Sequence, residues 1–281
     1  MHVQSGVSND TRKTVHMKQK YKNSPQHTLS RRRFFTTSGM VLGSAGIGML
    51  GVNSTGFAGE GWPPSPHSLL KDGETVLFQG DSITHAGRDK AKTSANEMAS
   101  VGTGYAGLAA ANLLVEHPRA RYSIYNRGIS GDKVFQLADR WQADCLDIKP
   151  NLLSILIGVN DFWHTLSGKY DGTVETYERD YRALLERTLK ALPKVKLVLC
   201  EPYVLRCGTV NDTWFPQFDT YRAAARSVAK SFAAVFVPFQ AMFDEAVNYA
   251  PPAYWAKDGI HPTSAGASLM ASTWVRIVAG K

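Results

Sequence analysis

Residues 75–82 read Thr-Val-Leu-Phe-Gln-Gly-Asp-Ser, a five-residue apolar-rich run closed by three residues that favour turns. A run of that length, rich in branched and aromatic side chains and followed at once by a turn, predicts a buried strand that delivers Ser82 to its carboxyl end. The pattern repeats downstream. Tyr122–Tyr125, Leu152–Ile157, Lys196–Cys200 and Ala234–Val237 are also strand-like in length and branching. Between them lie longer amphipathic stretches, Gly104–Glu116, Asp132–Asp147, Val174–Leu192 and Phe218–Phe232, with a last helix expected at Ser264–Val278. Tyr177, Tyr181, Leu184, Leu185, Thr188 and Leu189 fall at helical spacing on one face. Strand–helix alternation without a repeat or a second linker predicts one α/β domain on a parallel sheet. Sites in such domains lie beyond the carboxyl ends of the strands, so the informative residues should follow each apolar run.

What precedes residue 74 reads differently. The chain has 281 residues and a formal net charge of +8, yet eight of its 32 Lys+Arg stand in residues 1–58 against a single acid, Asp10. The remainder is close to neutral, which removes the main support for a nucleic-acid surface or an anionic membrane as partner. Residues 1–29 are polar and basic, Arg31-Arg32-Arg33-Phe34-Phe35 follows, and Ser38–Val52 is a Gly-rich apolar run. That run is short of the ~20 residues a stable bilayer span needs, and it leads to Gly56-Phe57-Ala58, a small-x-small cleavage pattern. The paired Arg31 and Arg32 resemble a twin-arginine export signal, with the export machinery as partner and a periplasmic or extracellular destination. The expected division is therefore an export signal over 1–58, an extended Pro/Gly/Ser-rich lead-in over 59–73 and the α/β domain over 74–281. Twin-arginine substrates fold before crossing, as that resemblance implies, so stability should not depend on disulfides. Cys145, Cys200 and Cys207 are too few and too scattered for a disulfide scaffold, although Cys200 and Cys207 could pair across one loop. No Cys-x-x-Cys or His-Glu-x-x-His is present, so zinc readings have no foothold.

The segments after the strands carry chemistry. They are Gly80-Asp81-Ser82, Asn126-Arg127-Gly128-Ile129-Ser130-Gly131-Asp132, Gly158-Val159-Asn160-Asp161 and, near the end, Asp258-Gly259-Ile260-His261-Pro262. Acyl transfer requires a nucleophile, a base, a group that orients the base, and donors aimed at the developing oxyanion. Ser82 can supply the hydroxyl, while Asp258 and His261, three apart in a loop, can put a carboxylate on the far nitrogen of an imidazole. Gly131 can offer an unobstructed backbone N–H and Asn160 a side-chain amide; with the Ser82 N–H these make three oxyanion donors. Asp161 reads as a cap or loop support.

These four blocks, in this order, resemble the SGNH hydrolases, also called the GDSL lipase/esterase family. The resemblance runs from about Thr75 to Val278, with Gly-Asp-Ser-Ile in place of Gly-Asp-Ser-Leu in the first block. It implies a three-layer α/β/α sandwich of flavodoxin type with a five-stranded parallel sheet, and ester hydrolysis without metal or organic cofactor. Carried over by motif, Ser82 is the nucleophile, His261 the base, Asp258 its partner, and Ser82, Gly131 and Asn160 the oxyanion donors. Members cleave acetyl groups from polysaccharides, short acyl esters, lysophospholipids and thioesters, so the resemblance implies the mechanism and leaves the substrate open. An acyltransferase, a lysophospholipase or lipase, and a silent binding protein stand as alternatives. Phe162, Trp163 and His164 follow the third block, and Trp163 and His164 are candidate substrate contacts, with Trp214 a further aromatic available to a sugar ring. The segments that could form a lid, Thr84–Thr103 and Val204–Trp214, offer no continuous apolar face, which predicts short acyl groups.

Two motifs are decoys. Gly102-Thr103-Gly104-Tyr105-Ala106-Gly107 matches the dinucleotide fingerprint but follows the polar loop 91–100 where a strand is required. Gly128-Ile129-Ser130-Gly131 lacks the closing Gly of a nucleophile elbow, because Asp132 stands there. His85 lacks an acid at family-like spacing and is not expected to be the base.

Overall fold

A computed structural model describes residues 68–280, so the expected export signal and most of the lead-in lie outside the described residues. Five strands form the sheet: β1 (Thr75–Gly80), β2 (Ser123–Asn126), β3 (Leu152–Leu156), β4 (Lys196–Cys200) and β5 (Val235–Val237). All neighbours are parallel, in the order β2-β1-β3-β4-β5, with Gly80 opposite Leu156 and Leu156 opposite Cys200. This is the flavodoxin-like order, and it aligns the carboxyl ends of β1 and β3 side by side. Every residue of the central strand β3 is buried, as a strand covered on both faces should be.

The helices are α1 (Ser82–His85), α2 (Met98–Val101), α3 (Tyr105–Glu116), α4 (Val134–Asp139), α5 (Val159–Leu166), α6 (Val174–Ala191), α7 (Gln217–Ser231), α8 (Phe239–Ala246), α9 (Pro252–Trp255) and α10 (Ser264–Ala279). On one side of the sheet α10 lies against α3; on the other α6 packs between α4 and α7. Buried tryptophans fasten each layer. Trp274 of α10 donates from Nε1 to Ser154 Oγ on β3 at 2.9 Å, and Trp141 donates to Thr188 Oγ1 of α6 at 2.9 Å. Both rings are fully buried, and a large apolar side chain so placed contributes roughly 1.5–3 kcal/mol.

The helix expected over Asp132–Asp147 is broken: α4 ends at Asp139 and a wide π-type turn follows over Gln142–Leu146. Trp141 turns inward at the break to reach Thr188, and Arg140 spans Asp132, the Arg127 carbonyl and Asp144. The wider turn lets both side chains reach those partners. The cysteines are free thiols, with Cys200 Sγ beside Ser154 Oγ at 3.6 Å and Cys207 Sγ donating to the Ala256 carbonyl at 3.1 Å. Among the described residues no helix is long and apolar enough to cross a membrane.

Candidate active site

Gly80 closes β1 at φ +151°, and a Cβ there would lie 2.2 Å from the Leu156 carbonyl oxygen, so only glycine lets β1 end this close to β3. Asp81 follows, buried, and caps α1 by accepting from the Ile83 N–H at 2.9 Å. Ser82 is thereby the first residue of α1, a position whose N–H has no intrahelical acceptor. Its Oγ lies 2.8 Å from His261 Nε2, and His261 Nδ1 lies 2.6 Å from Asp258 Oδ2. An ionised carboxylate only accepts, so Nδ1 carries the proton and Nε2 presents a lone pair to the serine. Asp258 Oδ1 also accepts from the backbone N–H groups of Ile260 at 3.0 Å and His261 at 2.8 Å. Partial burial alone would raise this carboxyl, but the hydrogen bonds from the His261 ring, the His261 N–H and the Ile260 N–H outweigh it and hold it below the ordinary range. Asp258 therefore stays charged wherever the imidazole has work to do.

The loop bearing Asp258 and His261 rests on residues 203–209. Leu205 donates its N–H to Gly259 O at 2.8 Å, Thr209 its N–H to Asp258 O at 2.9 Å, and Tyr203 its hydroxyl to Ile260 O at 3.0 Å. Gly208, at φ +59°, lies so close that a Cβ would meet Asp258 Cα at 2.5 Å. Val204, Leu205, Val210 and Trp214 all point inward, so this segment is the bed of the loop and not a lid. Thr84–Thr103 is likewise pinned: Asn96 donates its N–H to Ile124 O at 3.0 Å, accepts at Oδ1 from the Ile124 N–H at 2.8 Å and donates Nδ2 to Tyr122 O at 2.7 Å, and Arg127 reaches Thr93 O.

The second block folds tightly onto α1. Asn126 donates to Thr84 O and Val101 O and accepts from the Gly128 N–H, while Ile129 donates its N–H to Gly80 O at 3.0 Å. This turn leads to Gly131 at φ +87°, the left-handed region glycine favours. Asn160, 4% exposed in the first turn of α5, donates Nδ2 to Asp132 O at 3.2 Å, which fixes the plane of the amide. Ser82, Gly131, Asn160, His261 and Asp258 thus all stand on the segments at the carboxyl ends of the strands and on the loop before α10. Asp161, buried, accepts from the Val134 N–H at 3.1 Å and so supports the start of α4. Burial pushes Asp81 and Asp161 up to about 7 each, and one carboxyl oxygen of each has no hydrogen-bond partner.

Three features were not legible in advance. Trp214 is 2% exposed, 5.3 Å from the Phe162 ring and 6.0 Å from Phe218, so it belongs to the core and is not available to a sugar, whereas Trp163 is half-buried. His85 Nδ1 pairs with Ser130 Oγ at 2.7 Å, a second serine–histidine contact with no carboxylate on the imidazole among the described residues. His164, half-buried, accepts at Nδ1 from Lys133 Nζ at 3.1 Å. The glycines of the dinucleotide-like stretch serve packing: α2, and no strand, precedes Gly102, and a Cβ on Gly107 would meet Gly102 O at 2.0 Å.

Residues 78–269 match the model of the GDSL-like lipase/acylhydrolase family, a span that takes in all four blocks. The chain belongs to this family. An acetylxylan esterase of Geobacillus stearothermophilus is 32% identical over 209 residues, covering 74% of this chain and 94% of that protein. A crystal structure from Parabacteroides merdae, described only as GDSL-like lipase, is 50% identical and superposes with a TM-score of 0.75 over 77% of this chain and 100% of the other. Structures of the Geobacillus esterase are 31% identical with TM-scores near 0.67 over 74% of this chain and 95% of theirs. Its catalytic mutants alter a serine, a histidine 179 positions later and an aspartate three before that histidine. As a member of the GDSL-like family with these relatives, the chain is a carboxylic ester hydrolase on an α/β/α fold.

Proposed function

We propose that this hydrolase is an exported serine esterase that removes short acyl groups, acetyl foremost, from carbohydrate. The observation that carries the reading is the unbroken Ser82–His261–Asp258 chain at 2.8 and 2.6 Å. Ser82 and His261 are 179 positions apart, with Asp258 three before the histidine, the same spacing as in the catalytic mutants of the Geobacillus acetylxylan esterase.

Ser82 Oγ attacks the ester carbonyl while His261 Nε2 takes its proton, and the imidazolium so formed is stabilised by Asp258. The carbonyl oxygen becomes an anion facing the Ser82 N–H, the Gly131 N–H and Asn160 Nδ2, donors that need no rearrangement during reaction. Collapse returns the proton from His261 to the leaving alcohol and leaves an acyl-enzyme. Water, deprotonated by the same nitrogen, then releases the acid.

The apolar residues of 204–214 are turned inward and 84–103 is pinned, so among the described residues neither segment offers a mobile apolar cover for a long chain, which supports the preference for short acyl groups. On a series of acetyl, butyryl and octanoyl esters, kcat/KM should not rise with chain length, since extra methylenes left in water gain nothing. Acetylated xylo-oligosaccharide should be a substrate. A higher kcat/KM on octanoyl esters would overturn the short-chain reading and favour a lipid substrate.

Export through the twin-arginine route rests on the sequence of residues 1–58. Replacing Arg31 and Arg32 together by Lys keeps the charge and removes the guanidinium shape. The precursor should then stay in the cytosol, while the wild-type mature protein begins near Gly59. Unimpaired export of the double-Lys variant would assign a general secretory signal instead.

A further inference from the structure

The elements that present the oxyanion donors also carry a cluster that the ester chemistry does not use. Lys133 stands two residues after Gly131, and its side chain is almost wholly covered, at 7% exposure for the residue. Its ammonium lies 5.5 and 5.3 Å from the ring centroids of Phe135 and Tyr170, which stack on each other at 5.6 Å and 23°. Its hydrogen-bond partner is a neutral acceptor, His164 Nδ1 at 3.1 Å. Among the described residues no carboxylate lies within ion-pair distance of it: Asp132 and Asp161 act on its charge from further off, while Asp132 pairs with Arg140 at 2.9 Å and Asp161 accepts from the Val134 N–H.

A buried ammonium is costly unless its charge and its three donors are matched, and here one donor has a partner. Ring faces attract the charge but accept no conventional hydrogen bond. His164 cannot take up the deficit. Burial first, then the neighbouring Lys133 and Lys169, lowers the basicity of its ring, so it is neutral with its proton on Nε2. Both groups therefore offer donors, beside aromatic faces of which Phe135 is 38% exposed. Such a cluster asks for an anionic acceptor on a ring-sized ligand. His164 lies four residues beyond Asn160, just over one helical turn along α5, about 6 Å of axial rise. Residues four apart share a helix face, so an anion held there stands on the side of α5 that carries the Asn160 amide.

We propose that Lys133, His164 and the Phe135–Tyr170 pair form a subsite for a carboxylate on the substrate, so that the preferred ester is an acylated uronic-acid residue rather than a neutral sugar. The proposal rests on the ester-hydrolase reading of the site and narrows its substrate. It is tested with acetylated oligogalacturonide and acetylated xylo-oligosaccharide of matched length, on the full chain and on Lys133→Met, Lys133→Arg and His164→Gln. The wild type should show kcat/KM about tenfold or more higher on the acidic ester, carried by KM, as a hydrogen bond to a charged group is worth. That ratio should shrink when salt is raised from about 50 to 500 mM, vanish in Lys133→Met and persist in part in Lys133→Arg. His164→Gln should reduce it. Equal kcat/KM on the two esters, or a ratio that survives Lys133→Met, would overturn the subsite. Should Lys133→Met fail to fold, inhibition of the wild type decides: galacturonate must inhibit at least about tenfold more strongly than xylose, and equal inhibition overturns the proposal. Hydrolysis of neither ester, together with no labelling of Ser82 by a fluorophosphonate, would overturn the esterase reading itself, an outcome distinct from hydrolysis of both at equal rates.

Discussion

Ser82→Ala is expected to leave the fold intact and to lower kcat by about 10⁴-fold or more, the usual loss when a member of such a triad is removed. The hydroxyl bonds His261 Nε2, and the helix start is held by Asp81, so its loss removes the nucleophile without removing a cap. Ser130→Ala is the matching control. Ser130 also faces an imidazole, at 2.7 Å, but among the described residues His85 has no carboxylate on it, and burial with the charges of Arg88 and Lys90 lowers its basicity. That variant should keep much of the activity. Circular dichroism checks folding, and steady-state hydrolysis of an acetyl ester checks the rate; a Ser82→Ala enzyme within tenfold of wild type would remove the assignment.

Asn160→Ala should lower kcat by about 10²–10³, roughly 3–4 kcal/mol, with a smaller change in KM. The amide is buried and locked by Asp132 O at 3.2 Å, so it meets the substrate oxygen in a fixed orientation and gains most when that oxygen carries full charge. Stopped-time assays across substrate concentration separate the two constants. A loss confined to KM would make Asn160 a ground-state binding residue and leave the oxyanion hole with the two backbone donors.

The strands were the most legible part of the chain, because β1, β3 and β4 are short apolar runs with no competing helical period. β3 ends at Leu156, one residue before the expected Ile157, and β5 spans Val235–Val237 within the expected Ala234–Val237. The candidate site residues were placed for a different reason: each follows a strand or stands in the Asp258–His261 loop, where chemistry and topology coincide. What escaped was governed by contacts between distant segments. α5 begins within the Asn160 block, so that block is as much a helix start as a loop. Trp214 looked like a surface aromatic because the polar residues around it gave no sign that Phe162 and Phe218 enclose it. The role of residues 203–209 as the support of Asp258 depends on backbone hydrogen bonds to Gly259 and Asp258, which leave no trace in composition. Lys133 reads locally as a helix-start residue, and its covering by Phe135 and Tyr170 arises only when residues 170 and 133 are brought together.

The proposed nucleophile and base stand 179 positions apart, one just after the first strand and the other in the loop that leads into the last helix. That loop takes its final shape through Thr263, whose hydroxyl caps α10 on the Gly266 N–H, and α10 is seated by Trp274 on Ser154 and by the Leu69 N–H on the Val278 carbonyl. The sequence up to β5 encodes all five strands, Ser82, Gly131 and Asn160, yet neither Asp258 nor His261. On the proposed mechanism the base is therefore the last part of the site to be made, and it is seated only when the last helix docks.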